Sequence, residues 1–275
     1  MLYLVATPIG NLGDLSPRAV ETLEAADVIY CEDTRHTGIL LQHFGIKKPT
    51  RSLHTHNERE RTEEVIAALK EGKTVAYVSD AGMPGVSDPG AMLVDACAKQ
   101  GLPCTVIPGA SAVLMSAVLS GLPAQPFTFV GFLPREAKPR REALDAIAPI
   151  RHQVILYESP HRVQATLKDL LDRFGDGPAA VLRELTKKFE TVVRGTLSEL
   201  IERFSEEPKG ECVIAFVPGR KAENPAPDLD ELLFELLKTE SLKDAAAIAA
   251  ERSGLSKKET YRRALELKGS RRPEG

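Results

Sequence analysis

At 275 residues, 43% hydrophobic and 27% charged, the chain has the composition of an ordinary globular protein, and its length fits two domains with a small appendix. Disorder, a collagen-like repeat and a coiled coil are excluded as the main state, and no apolar run approaches the ~20 residues that a bilayer-spanning helix needs. A net charge of −3 argues against a general nucleic-acid coat and leaves room for a local basic patch.

The N-terminus MLYLVATPIGNLGD has no basic leader and too short an apolar stretch for a signal peptide; it reads as a buried strand entering a turn. Residues 28–31, 75–78 and 104–107 are further strands, with helices over 17–26 (behind the N-cap Ser16), 37–44, 59–70, 91–99 and 112–120. Strands that are apolar throughout, alternating with helices, predict an α/β fold with a mostly parallel sheet covered on both faces. The punctuated stretch 121–126 marks a domain boundary. Strands over 127–131, 154–157, 180–182, 190–193 and 213–217, with helices over 163–174 and 197–204, predict a second α/β domain with a mixed sheet. After a linker over 221–227, helices over 229–237, 242–252 and 257–267 form a small helical extension. The expected domains are therefore 1–121, 122–220 and 228–275. From Ser241 onward nine Lys/Arg face five Asp/Glu. The last two helices and their turn read first as a solvated cap, with a helix-turn-helix contact to nucleic acid as the alternative. Cys31, Cys97, Cys104 and Cys212 form no CxxC pair and read as reduced core residues of a cytoplasmic protein.

In an open parallel sheet, ligands bind beyond the carboxyl ends of the strands. There the chain reads Thr7-Pro-Ile-Gly-Asn-Leu-Gly-Asp14, Glu32-Asp-Thr-Arg-His36, Ser79-Asp-Ala-Gly-Met-Pro-Gly-Val-Ser-Asp-Pro-Gly90 and Pro108-Gly-Ala-Ser-Ala112. So many Gly, Pro and acidic residues along one edge predict a ligand cleft. Nucleotide motifs fail: Gly72-Lys73-Thr74 has Ala67 where a P-loop needs Gly and precedes a strand, and no G-x-G-x-x-G is present. Asp80 is placed to accept hydrogen bonds from a ligand, and the helix start at 110–112 can hold a carboxylate through free N–H groups. A rigid pocket with one acid and one helix start suits a zwitterionic, adenosine-bearing molecule and is compatible with S-adenosylmethionine. His54-Thr-His56 offers no third metal ligand, and no metal is expected.

Those loop motifs resemble the tetrapyrrole-methylase superfamily. With Thr128-Phe-Val-Gly-Phe-Leu-Pro-Arg135, Leu156-Tyr-Glu-Ser-Pro-His-Arg162, Arg183-Glu-Leu-Thr-Lys-Lys188 and Gly210-Glu-Cys-Val-Ile214 they are similar to its ribosomal branch, the small-subunit rRNA methyltransferase I family. The likeness runs through nearly all of residues 1–219. It implies two α/β domains, a homodimer, S-adenosylmethionine as cofactor, and methylation of a cytidine ribose 2′-OH in 16S rRNA of the small ribosomal subunit. Carried over by position, the cofactor pocket comprises Pro8, Ile9, Gly10, Asp80, Ala81, Gly82, Met83, Ser111, Ala112, Tyr157 and Ala215. Ser79-Asp80 departs from the Gly-Asp-Pro of tetrapyrrole-modifying relatives, which favours the RNA branch.

Methylating a ribose hydroxyl requires alignment and removal of its proton. Glu158 and Lys187 are the expected catalytic groups, with His161, Arg183 and Glu184 beside them. Arg18, Arg35, Arg135, Arg140, Arg141 and Arg162 are expected to meet RNA phosphates. Aromatics are only 5%, so stacking platforms would be few. A small-molecule tetrapyrrole methylase and a non-catalytic RNA-binding assembly factor are the alternatives.

Overall fold

Four short runs, each apolar at almost every position, set the first layer. In the computed structural model, which describes residues 1–219, 229–253 and 255–269, they are strands β1 (Leu2–Val5), β2 (Val28–Cys31), β4 (Val75–Val78) and β5 (Cys104–Ile107). A further strand, β3 (Thr50–Ser52), completes an all-parallel sheet in the order β3-β2-β4-β1-β5. The sequence pattern does not announce β3: Thr-Arg-Ser is polar and partly exposed, and the strand lies at the sheet edge. One face of the sheet presents Val5, Ile29 and Val78 to helices α1 (Pro17–Ala25) and α2 (Thr34–His43). The other presents Leu4, Tyr30 and Tyr77 to α3 (Glu58–Lys70) and α4 (Ala91–Lys99). Each fully buried leucine in these layers contributes roughly 1.5–3 kcal/mol. Helix α2 starts three residues earlier than expected, because the Asp33 side chain caps it by accepting from the Arg35 N–H at 2.8 Å.

The second sheet contains β6 (Phe127–Phe132), β7 (Gln153–Glu158), β8 (Pro178–Arg183), β9 (Thr191–Thr196) and β10 (Cys212–Phe216), in the order β6-β7-β10-β8-β9. Only β6 and β7 pair in parallel, so the sheet is mixed. One face is covered by α6 (Ala137–Ile147), α7 (Val163–Phe174) and α8 (Leu197–Arg203), through Leu144, Leu167, Leu170 and Leu200. Helix α6 is not foreseen from sequence. Its charged opening, Ala-Lys-Pro-Arg-Arg-Glu, masks an apolar stripe that buries only Leu144 and Ile147.

The opposite face of this sheet receives α5 (Ala112–Leu119), although α5 follows β5 of the first sheet in the chain. Val113 and Ala117 pack against Ile155, Ala180, Leu182 and Val213. That placement accounts for one apolar face of a helix with almost no polar positions, Ala-Val-Leu-Met-Ser-Ala-Val-Leu, while Leu114 and Val118 stay exposed. At its end, Gln153 Nε2 donates to Ser120 Oγ at 2.5 Å, and Arg194 donates to the carbonyls of Leu119 and Ser120. These bonds and the α5 packing tie the two sheets into one unit, residues 1–219.

The second unit contains α9 (Leu229–Leu236), α10 (Leu242–Ser253) and α11 (Lys257–Gly269). They pack around Leu233, Ala246, Ala249 and Ala264, whose small side chains let helices approach closely. The Arg263 guanidinium spans from α11 to the Asp230 carboxylate at 2.7 and 2.6 Å. The expected linker over 221–227 lies outside the described residues.

Candidate active site

The loops after β1 and β4 lie side by side because Thr7 and Gly82 exchange backbone hydrogen bonds of 2.9 and 3.1 Å. The Thr7 hydroxyl also donates to the Ser79 carbonyl at 3.2 Å. Gly82 has φ +77°, a left-handed conformation that a side chain would strain. The loop after β2 locks onto the same structure. Asp33 N–H donates to Asp80 Oδ1 at 3.0 Å, while the Asp80 N–H faces the Glu32 carboxylate. Asp80 therefore fastens two loops together as well as facing the cleft.

Two cavities open at this edge and share Ile9, Ala81 and Glu211. The larger, about 370 Å³, is walled on the first-sheet side by Ile9, Gly82, Met83, Ser111 and Ala112. Its other wall is Phe132, Tyr157, Glu158, Glu211 and Val213. Tyr157 makes edge contacts with the rings of Phe129 and Phe132, at centroid distances of 4.8 and 5.5 Å. The smaller cavity, about 220 Å³, is bounded by Pro8, Gly10, His36, Ile39, Asp80 and Lys187. Of the expected cofactor residues, Ile9, Ala81, Gly82, Met83, Ser111, Ala112 and Tyr157 meet in the larger cavity; Pro8, Gly10 and Asp80 face the smaller. Ala215 reaches neither. It is fully buried in the core under α5, and Val213, two residues earlier on the same strand face, lines the cavity instead.

Carboxylates concentrate here. Burial, followed by repulsion from Asp80, raises the pKa of Glu32. Burial, followed by repulsion from Glu32, pushes Asp88 up to about 6 from 3.8. A carboxyl whose pKa is raised on folding destabilises the fold once it ionises. The penalty is absent below about pH 4, grows between there and about pH 6, and is fully present above. Asp88→Asn is therefore expected to raise the melting temperature above pH 6, with the gain vanishing near pH 4. Melts of both proteins across that range check this; a pH-independent difference would contradict it.

Lys187 reaches the cleft from a turn in which Glu184 and Thr186 both have positive φ, +52° and +66°. Such conformations cost of order 1–3 kcal/mol each in non-glycine residues. The turn lays the Lys187 stem across Gly10, where any Cβ would overlap it. The ammonium is 2.9 Å from Glu184 and 2.8 Å from Glu211. Burial works against its charge, but the two carboxylates prevail and its pKa is raised. Lys187 is thus a fixed cation at neutral pH.

Glu158 is nearly inaccessible, its side chain 1% exposed. Its Oε1 accepts from Ser159 N–H at 2.8 Å and from the Ser159 hydroxyl at 3.2 Å, and Oε2 accepts from the Thr166 hydroxyl at 2.6 Å. Arg162 lies 3.5 Å away and donates to the carbonyls of Leu133 and Pro134. Arg140 donates to Asp169, Thr166 and Pro134. Two of the six arginines expected to meet RNA, Arg140 and Arg162, are therefore turned inward, holding the turn that follows Phe132. Arg18, Arg35, Arg135 and Arg141 are exposed, with Arg35 paired to Asp33 at 2.8 Å. His161 is exposed, and His54 and His56 make an edge contact at 5.9 Å.

The sequence model for "Tetrapyrrole (Corrin/Porphyrin) Methylases" matches residues 1–201, and that for the "RsmI C-terminal HTH domain" matches 223–268. A Synechocystis protein named Ribosomal RNA small subunit methyltransferase I is 45% identical, over 97% of this chain and 98% of its own length. An Escherichia coli O157:H7 protein of the same name is 44% identical, over 98% and 96%. The chain belongs to the ribosomal RNA small subunit methyltransferase I branch of the tetrapyrrole methylases. It is a methyltransferase whose methyl donor is S-adenosylmethionine. The fold agrees: a Thermus thermophilus uroporphyrin-III C-methyltransferase complexed with S-adenosylhomocysteine superposes with a TM-score of 0.55 at 21% identity, covering 78% of this chain and 96% of that one.

The larger cavity fits the family's donor. It combines an aromatic wall, the start of α5 capped by Ser111, and the carboxylate of Asp88. These match an adenine ring, a carboxylate and an ammonium respectively. Sequence reasoning missed Asp88, Phe132 and Glu211 as site residues, though each lies in or beside a motif that carried the resemblance. Glu211 could have been found from the abrupt Gly-Glu-Cys ahead of an apolar strand.

Proposed function

We propose that this protein methylates the ribose 2′-hydroxyl of a cytidine in 16S rRNA, acting in the cytoplasm on the assembled small ribosomal subunit. The near-full-length likeness to proteins named for small-subunit rRNA methylation carries the reading. The domains are taken as 1–121, 122–220 and 228–275, with the donor held between the first two. Ile9, Ala81, Gly82 and Met83 line its body, Ser111 and Ala112 meet its carboxylate, and Tyr157 with Phe132 flanks its adenine. The bound donor supplies an electrophilic methyl group on a sulfonium centre.

The reacting hydroxyl needs an acceptor for its proton as the new bond forms. Glu211 faces both cavities, with the Lys187 ammonium 2.8 Å from its carboxylate. Lys187 acts by charge, and Glu158 acts by holding the wall that carries Tyr157 and Phe132. Arg18, Arg35, Arg135 and Arg141 meet phosphates. Val106 on edge strand β5, with Leu114 and Val118 one turn apart on α5, leaves apolar surface exposed, which supports a homodimer.

The test is incubation with labelled S-adenosylmethionine and, separately, small subunits, naked 16S rRNA and a precorrin, followed by digestion to nucleosides. Label as 2′-O-methylcytidine from small subunits is expected. Label on a base, only in naked rRNA, or only in the tetrapyrrole would overturn the proposal.

A further inference from the structure

We infer that the smaller cavity seats the acceptor nucleotide, turned out of its strand with its ribose toward Ile9, Ala81 and Glu211. The inference rests on the rRNA reading above and extends it to the place where the substrate binds. Methyl transfer needs the nucleophile about 3–3.5 Å from the methyl carbon. An acceptor must therefore meet the donor across a boundary that both touch. The two cavities adjoin along those three residues.

The lining has the chemistry of a nucleotide. Leu12, Ile39 and Leu40 offer apolar contact for a base. Asp80 and Glu211 offer oxygens that can accept from ribose hydroxyls, which an anion-only site would exclude. Lys187 borders the same space, and Arg35, paired with Asp33, sits exposed at the start of α2, so cations stand where flanking phosphates would pass; His36 adds a hydrogen-bonding ring. Ile39 is 65% exposed on α2, an apolar side chain left in water at the mouth of the cavity. The strained turn at Glu184 and Thr186 makes sense here as well. It carries Lys187 across Gly10 to the lining of this cavity.

The chain contains no tryptophan, so Ile39→Trp places a single emitter at the mouth, at a position exposed enough to accept the larger ring. A short oligocytidylate is expected to quench its fluorescence saturably, with S-adenosylhomocysteine already bound and not displaced. S-adenosylhomocysteine alone is expected to leave the emission unchanged. Competition between the two ligands at this reporter would assign the cavity to the donor and overturn the inference, as would emission indifferent to the oligonucleotide. In a second variant, Ile39→Glu, repulsion of phosphate is expected to raise the KM for small subunits about tenfold or more. Its affinity for S-adenosylhomocysteine should match the parent's. An unchanged KM, or a parallel loss of donor affinity, would again overturn it. Parent protein that leaves small subunits unlabelled would sink the rRNA reading, while the fluorescence titration would still decide what the cavity holds.

Discussion

Glu158→Ala is expected to cost about 3–5 kcal/mol of folding stability, because it strands charge and hydrogen-bonding groups in a nearly dry wall. The carboxylate is the common partner of Ser159, Thr166 and Arg162. Arg162, with 18% of its side chain exposed, would be left facing an apolar gap while still bound to the Leu133 and Pro134 carbonyls. Thr166 would keep Arg140 as a partner but lose its acceptor. The turn after β6 would loosen, and with it Phe132, which flanks the larger cavity. Urea unfolding should therefore show a lower midpoint, and donor affinity should fall with it. Glu158→Gln separates this role from chemistry. It keeps size and an acceptor, so a loss of about 1 kcal/mol and near-parental donor binding are expected. A Gln variant that folds and binds donor yet transfers methyl more than ~100-fold slower would make Glu158 a chemical participant. An Ala variant as stable as the parent would remove the structural role.

The same residue shows how far the sequence could be read. The Glu-Ser-Pro-His-Arg run at the end of a strand singles out Glu158 as a candidate, and its i, i+4 spacing to Arg162 points to an ion pair. What the run lacks is Thr166, eight residues on, and the Leu133-Pro134 turn, brought in by β6. Local spacing reports neighbours along a helix or strand; it is silent about partners delivered by another element. The first sheet was legible for the converse reason. Strands such as Val-Ala-Tyr-Val, buried at every position, announce themselves without reference to anything distant. β3 and α6 were not, since one is a polar edge strand and the other hides two buried residues in a charged stretch. Helix α5 was found as a helix, but only the structure shows that its Val113–Ala117 face serves the second sheet. Of the residues expected to hold the cofactor, those on loops that follow strands lie along the cleft, because chain topology fixes where such loops lie. Ala215 was carried over by position on a strand, where a shift of two residues decides between the core and the cavity.

Asp80→Ala should weaken binding of S-adenosylhomocysteine by about 10- to 100-fold, the span of a charge-assisted hydrogen bond of roughly 1.5–3 kcal/mol. Two losses combine. Asp33 N–H gives up its carboxylate acceptor, so the loop after β2 is no longer fastened to the loop after β4. Ala81, Gly82 and Met83, which follow Asp80 directly, then lose the restraint that holds them along the larger cavity. The Thr7–Gly82 pair survives, so the β1 loop should stay in register and the protein should remain folded. Asp80→Asn distinguishes fastening from charge. Its carbonyl oxygen can still accept from Asp33, so the loops should remain joined and any remaining loss of affinity would report the missing negative charge. Calorimetry on the three proteins reads the donor term, and a thermal melt reads the loop term. If Ala and Asn weaken donor binding equally while only Ala lowers the melting temperature, Asp80 acts on the donor through its charge. If Asn binds as the parent does, fastening the two loops is what Asp80 contributes. Donor affinity untouched in the Ala variant would mean that neither the charge nor the fastening shapes the cavity.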